Sequence, residues 1–226
     1  MKAILLAAGR GERMRPLTDT IPKALLVAGG KPLIVWHLEK LAAAGFEEVV
    51  INHAHLGELI ERELGDGHRF GIRIVYSRES IALETAGGIA NALPLLGSAL
   101  FVAVNSDVFS DYDYAQLARA VRQLAAAKFL AHLIMVDNPK HHPMGDFALH
   151  DERVTLIGSK LTFSGLAAYH PQLFAGIARG TKVKLAPLLV RQAGRGMIGG
   201  EHFRGRWCDI GTPERLAMLN RELNGY

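Results

Sequence analysis

The residues best suited to chemistry in this 226-residue chain lie in one short loop and at two distant aspartates. After the apolar run Ala3–Ala7 comes Ala8-Gly9-Arg10-Gly11-Glu12-Arg13, and Lys23 follows Pro22. Glycines at 9 and 11 permit positive φ and carry no Cβ, so consecutive amide N–H groups can converge on phosphate oxygens. Arg13 can add a bidentate contact to the same anion, and Lys23 a point charge that follows a phosphate as its geometry changes. Asp107 follows an apolar, strand-like segment, and Asp209 ends a second candidate strand. Mg²⁺ takes one or two carboxylates and completes its octahedron with water and substrate phosphates, so this aspartate pair beside a phosphate loop suits it. Taken singly, Asp107 also reads as a turn residue and Asp209 as a cap before the helix opened by Thr212-Pro213-Glu214.

Other chemistries fit less well. A Walker A loop needs Gly-Lys-Ser/Thr at its end, which is absent. The dinucleotide fingerprint needs a third glycine where Met14 stands, and Pro16 follows. No Ser/His or His/carboxylate arrangement demands a nucleophilic or acid–base role. His53 and His55 are two apart and His141-His142 are adjacent, neither of them a zinc spacing. They read as loop and edge residues, with a sugar contact from the 141–142 loop left open. Trp207 and Cys208, beside Asp209, read as packing residues.

The charge distribution agrees with a compact anion as ligand. The formal net charge is +4, and Lys2, Arg10, Arg13, Arg15 and Lys23 against Glu12 and Asp19 place most of that excess in the first thirty residues. A nucleic-acid surface spreads its basic residues along a face, often with aromatics between them, so no nucleic-acid partner is expected. The apolar runs are too short to span a bilayer. Lys2 and the run Ala3–Ala8 imitate the start of a secretion signal, but Arg10, Glu12, Arg13 and Arg15 interrupt it at once. With a single cysteine, Cys208, the expectation is a cytoplasmic protein without an internal disulfide.

The elements that must position these residues alternate. Ala3–Ala7, Glu48–Asn52, Ile72–Tyr76, Leu100–Val104 and Leu130–Val136 read as strands; 32–44, 56–64, 85–93 and 114–126 read as helices. That alternation predicts a three-layer α/β fold with a mostly parallel, mixed central sheet. Past residue 137 the texture changes to a hairpin over 147–157, a strand over 162–169, and helices over 171–178, 185–192 and from Thr212. No repeat or linker divides the chain, so 1–226 reads as one domain. In an open α/β sheet ligands sit beyond the carboxyl ends of the strands, which is where both the glycine loop and Asp107 fall.

The stretch Leu6-Ala7-Ala8-Gly9-x-Gly11-x-Arg13-Met14-x-Pro16-Leu17-Thr18 with Pro22-Lys23 resembles the signature of the sugar-phosphate nucleotidylyltransferases. Ile51-Asn52-His53-Ala54, Leu83-Glu84-Thr85-x-Gly87-Gly88-Ile89, Asn105-x-Asp107-Val108, Gly145-Asp146-Phe147, Thr162-Phe163-Ser164-Gly165 and Lys184-Leu185-Ala186-Pro187 follow in order. As a set they resemble most closely one branch, the N-acetylmuramate 1-phosphate uridylyltransferases of wall recycling. Ala24, Ala86 and Ser106 depart from the usual pattern by small-for-small changes, and the wider family's Glu-Lys-Pro segment is missing near 157–162.

The resemblance implies a Rossmann-like nucleotidyltransferase fold and Mg²⁺-dependent transfer of UMP from UTP to a sugar 1-phosphate. It implies a nucleotide half over 1–136, and over 137–226 a sugar half carrying the second metal aspartate. Nucleotide binding would fall to Ala8, Gly9, Gly11, Glu12, Arg13, Lys23, Glu84, Gly87, Gly88 and Asn105. Sugar-phosphate binding would fall to Asn105, Asp146, Ser164 and Lys184, with Lys182 facing solvent. Arg13, Lys23, Asp107 and Asp209 would carry the reaction, the aspartates as metal ligands. Gly87 and Gly88 otherwise read as packing glycines, and Asn105 and Asp146 as turn residues. The alternatives are a guanylyl- or cytidylyltransferase acting on mannose or heptose 1-phosphate or phosphocholine, and a catalytically silent regulatory domain. A monomer or small homo-oligomer is expected.

Overall fold

In the computed structural model, which describes residues 1–225, the chain builds a nine-stranded mixed sheet covered by helices on both faces. Its strands are β1 (Lys2–Leu6), β4 (Glu48–His53), β5 (Arg73–Arg78), β6 (Phe101–Asn105), β8 (Ala131–Val136), β9 (Phe147–His150), β10 (Arg153–Thr155), β11 (Lys160–Tyr169) and β12 (Ile198–Phe203). Two small ladders join β2 (Val27–Ala28) to β3 (Lys31–Pro32) and β7 (Val108–Ser110) to β13 (Trp207–Asp209). The sheet order is β5-β4-β1-β6-β11-β8-β12-β10-β9. β5, β4, β1 and β6 run parallel, β11 is antiparallel to both neighbours, and β12 is parallel to β8. The mixed α/β sheet is the one anticipated, with its antiparallel ladders gathered in the C-terminal half.

Alternation within the apolar strands explains why both faces are covered. Ala3 and Leu5, Val49 and Ile51, and Val102 and Val104 face one core with helices α1 (Leu33–Ala43), α2 (Gly57–Leu64) and α4 (Ala115–Ala127). Ile4, Val50, Phe101 and Ala103 face the other, with α3 (Glu84–Leu96) and α5 (Leu185–Ala193). Parallel strands with both faces buried read as continuous apolar runs, as these do. A third cluster seats α6 (Pro213–Leu223) through Leu216 and Leu219 against Met14, Leu33, Phe109 and Ile210.

Three elements differ from the sequence reading. The segment 171–178 is helical only as a short 3₁₀ turn over Pro171–Phe174, capped by His170 and followed by Gly176. α3 continues through Pro94 to Leu96, with the proline confined to its last turn. β12 was not anticipated, since Gly199 and Gly200 obscure its pattern. A Cβ at Gly199 would lie 2.7 Å from the Phe129 ring, and one at Gly200 would lie 2.9 Å from the Leu133 carbonyl oxygen.

One buried histidine ties α1 to the start of α4. His37 Nδ1 lies 2.6 Å from the Tyr114 hydroxyl, and its Nε2 has no partner. Burial is the main cause that lowers the His37 pKa from 6.5 to about 4. The unfolded chain therefore takes up this proton at a higher pH than the folded one, so stability falls as pH drops through that window and levels off below it. His37→Gln should flatten the pH dependence of the urea midpoint between pH 6.5 and 4 relative to wild type.

Candidate functional site

The parallel register brings three strand ends flush. Leu6 lies opposite Asn52 of β4 on one side and Asn105 of β6 on the other. A cleft of about 450 Å³ opens beyond these ends. Ala8, Gly9 and Glu12 of the glycine loop line it, as do Lys23, Glu84, Asn105 and Asp107. Seven of the residues singled out from sequence are thus in one place, contributed by segments that span a hundred positions.

The two loop glycines have different jobs. Gly11 adopts φ +72°, and a Cβ there would lie 2.9 Å from Thr18 Cγ2 and 3.3 Å from Lys23 Cβ. Its carbonyl accepts from the Thr18 hydroxyl at 2.8 Å and from the Met14 amide at 2.8 Å, which locks the turn that carries Arg13. Gly9 does not use positive φ, contrary to the sequence expectation, and nothing lies within 4 Å of where its Cβ would be. A side chain at 9 would project into open space beside the cleft, so this glycine keeps room there. Arg10 pairs with Glu12 at 2.9 Å and Arg15 with Asp19 at 2.7 Å, whereas Arg13 has no ion-pair partner among the described residues. Of the loop's three arginines Arg13 alone has no ion pair, but Arg10 is the one that lines the cleft, whereas Arg13, Gly11 and Asp209 lie outside its lining.

The two aspartates converge through a ladder invisible in the sequence. In the β7–β13 pairing Asp209 lies opposite Val108, and the Ile210 amide donates to the Asp107 carbonyl at 2.7 Å. The Asp107 carboxylate pairs with Lys23, whose side chain is 12% exposed against 37% for the aspartate. The ammonium is thus held largely out of water beneath a carboxylate that faces it. On Asp209, Oδ2 accepts from Arg215 Nη1. Asp209 Oδ1 is buried without a hydrogen-bonding partner, although His141 Nε2 lies 2.8 Å from it and equally close to Arg215 Nη1.

A buried carboxylate oxygen with no donor is costly, and a divalent cation would satisfy it. No group of three or more His, Cys, Asp or Glu side chains suited to a metal occurs among the described residues. Asp107 and Asp209 are the carboxylates that would hold such an ion, with water and substrate oxygens in its remaining positions. Arg215 and His141 meet Asp209 only through the fold, Arg215 from α6 and His141 from the loop after β8.

Several expected contacts fall elsewhere. Gly87 and Gly88 are buried and do not line the cleft. A Cβ on Gly87 would lie 2.2 Å from the Thr181 carbonyl oxygen, and one on Gly88 2.6 Å from Asn52 Nδ2, so both serve close packing. Asp146 has both oxygens engaged, by His142 Nε2 at 3.0 Å and the Phe163 amide at 2.8 Å, and it clamps the 142–146 loop onto β11. Ser164 is buried at the β11 bulge, where its hydroxyl accepts from the Leu166 amide and its carbonyl from Trp207 Nε1. Lys184 caps α5 outside the cleft, while the neighbouring Lys182, left to solvent by the sequence reading, is exposed and lines it. Asn105 lines the cleft, with its amide against Gly165, where a Cβ would lie 2.7 Å from Nδ2. Cys208 is held by burial at a pKa of about 11, consistent with packing.

The chain matches the family model described as nucleotidyl transferase over residues 2–160. It is 51% identical over 221 residues to the N-acetylmuramate alpha-1-phosphate uridylyltransferase of Neisseria meningitidis serogroup B, covering 96% of this chain and 95% of that one. It is 38% identical over 231 residues to a mannose-1-phosphate guanylyltransferase of Mycobacterium tuberculosis, covering 98% of this chain and 64% of that longer protein. Among solved structures it resembles a protein of Bacillus anthracis assigned as a glucose-1-phosphate thymidylyltransferase, with TM-score 0.86, 21% identity, and 100% and 96% of the two chains covered. HddC from Yersinia pseudotuberculosis, complexed with GMP-PN, gives TM-score 0.78 and 18% identity over 98% of each chain. These two are likenesses of fold.

Gly11→Ala tests the loop geometry directly. The left-handed backbone and the Thr18 contact should together cost about 1–2 kcal/mol, read as a lowered urea midpoint.

Proposed function

The chain belongs to the nucleotidyl transferase family, and from that premise we propose that it transfers UMP from UTP to N-acetylmuramate α-1-phosphate, releasing pyrophosphate. One observation carries the reading. Lys23, Asp107 and the loop Ala8–Glu12 line one cleft at the sheet's carboxyl edge, with Asp209 laddered beside Asp107, in a chain 51% identical, over nearly its whole length, to a uridylyltransferase named for that sugar phosphate. The reaction places the protein in the salvage of wall sugars, in the cytoplasm where UTP is available.

The chemistry asks for positioning and charge, not for proton transfer. An oxygen of the sugar phosphate, already anionic at neutral pH, attacks the α-phosphorus in line, so no general base is needed. The remaining difficulty is electrostatic, since two phosphate groups must approach and the leaving group gains charge. Loop amides around Gly9–Gly11 and the unpaired Arg13 take the leaving phosphates, with Glu12 at the loop's rim. Lys23, nearly buried and aimed by Asp107, bridges the reacting phosphates. Glu84 and Asn105 line the nucleotide end of the cleft, and Lys182 supplies the positive charge expected of Lys184. Mg²⁺ held by Asp107 and Asp209 would supply further positive charge at the α-phosphate. Arg215 Nη1 donates to Asp209 Oδ2 and would orient the carboxylate that holds the ion.

A panel of UTP, GTP, CTP and dTTP with several sugar 1-phosphates, read as pyrophosphate release, tests the assignment. UTP with N-acetylmuramate α-1-phosphate should be the best pair; preference for GTP with mannose 1-phosphate would favour the reading suggested by the mycobacterial relative. Lys23→Ala should lower kcat by roughly 10²–10³, the scale of one lost electrostatic stabiliser. Asp107→Asn and Asp209→Asn should abolish the dependence of turnover on added Mg²⁺ together with most of the turnover itself. Full activity in either aspartate variant would refute the metal assignment.

A further inference from the structure

Beneath the cleft, a buried carboxylate joins two segments that are far apart in sequence. Glu79 is 7% exposed. Its Oε1 accepts from Asn52 Nδ2 at 2.7 Å and its Oε2 from the Leu83 amide at 2.9 Å. Asn52 Oδ1 in turn accepts from the Ala7 amide at 3.0 Å. A continuous relay therefore runs from Ala7, where β1 turns into the glycine loop, through Asn52 and Glu79 to Leu83, where α3 begins.

Both ends of the relay abut residues that line the cleft. Ala8 and Gly9 follow Ala7, and Glu84 follows Leu83. Glu84 holds φ +61°, a left-handed conformation that a residue with a side chain adopts only when its surroundings impose it. Two constraints flank it: the Glu79 bond to the Leu83 amide, and a pair of backbone bonds in which Val183 N donates to Leu83 O and Gly87 N to Val183 O, both at 3.0 Å. Gly88 makes the relay possible, since a Cβ there would lie 2.6 Å from Asn52 Nδ2 and 2.8 Å from Glu79 Oε1. Each partner of Glu79 is a donor, so position 79 calls for an acceptor-only group. Burial raises the Glu79 pKa and its two donors oppose that rise. Glutamine would keep the shape but point an NH₂ at one of the two donors.

We propose that Glu79 is a positioning residue for the nucleotide: it sets the distance between the glycine loop and the α3 entry, so that both clasp one nucleoside triphosphate. The inference rests on the nucleotide reading of the cleft. It touches no reacting atom and concerns the nucleotide alone, because its two ends are the two cleft segments named above. Of the residues assigned to the sugar phosphate only Lys182 lies near the relay, beside Val183, and it bonds to neither Glu79 nor Asn52.

Glu79→Gln and Gly88→Ala test it together. The second variant keeps the carboxylate, drives a methyl between Asn52 and Glu79, and replaces a helix glycine by a better helix former, so the two perturb the relay by independent routes. UTP binding is measured by calorimetry and steady-state constants by pyrophosphate release. In both variants the Kd and KM for UTP should rise about tenfold, the scale of one mismatched buried hydrogen bond, while kcat and the sugar-phosphate KM stay within about twofold. Amide exchange should quicken in 7–11 and 83–85. Folded variants that bind UTP as wild type does would overturn the inference and leave the nucleotide reading intact. So would a lowered melting temperature with both KM values and kcat impaired alike, the mark of a merely structural role. A wild-type protein that binds none of the four nucleoside triphosphates would overturn the reading of the cleft and this inference with it.

Discussion

The candidate site depends on one short antiparallel ladder. β7 turns back directly after Asp107, and β13 returns from the far end of the chain to pair with it, so that Ile210 N meets Asp107 O at 2.7 Å. Without that pairing Asp107 would end β6 alone, and Asp209 would be one more carboxylate before a helix. The ladder is held from behind by the cluster of Phe109, Ile210, Met14, Leu216 and Leu219. Met14 belongs to the turn that carries Arg13, so the same apolar contacts that seat Asp209 also seat the arginine loop. Packing thereby couples the loop's position to the aspartates' position.

Charge is arranged around this scaffold so that some groups are spoken for and others are not. Arg10 and Arg15 are exposed and matched locally by Glu12 and Asp19, contacts that contribute little to stability. Lys23 is matched by Asp107 but largely withdrawn from water, where an electrostatic contact is felt more strongly. Arg13 has no ion-pair partner among the described residues, and the buried Asp209 Oδ1 has only His141 Nε2, at 2.8 Å, beside it. A site with those two groups would admit an anion together with a divalent cation, the combination the proposed reaction calls for.

The glycines show how close packing serves the site. Gly11 is needed for its backbone angle, Gly88 for the Asn52–Glu79 pair, Gly165 for the Asn105 amide, and Gly211 for two guanidinium groups, since a Cβ there would lie 2.6 Å from Arg215 Nη2 and 3.1 Å from Arg13 Nη2. In each case what the glycine admits is another part of the protein that lines or supports the cleft. Sequence reasoning gives such glycines to the ligand by default, because the polar group that needs the space is remote in the chain.

The sequence by itself determined the α/β architecture, the strand that starts it, and the placing of the glycine loop and Lys23 at the sheet's ligand edge. Apolar runs, glycine spacing and clustered positive charge are local properties, and local physics reads them. It also marked Asp107, since an aspartate after an apolar strand lies at the sheet's ligand edge whatever the rest does. Only the tertiary structure decided that Asp209 joins it, that Lys182 faces the cleft in place of Lys184, and that Asp146 and Ser164 spend their polar atoms on β11. It alone showed Arg215 on Asp209 and Glu79 beneath Asn52. Those assignments turn on which donor meets which acceptor across long separations, and strand order and register set that. No property of the residues' own neighbourhoods encodes it.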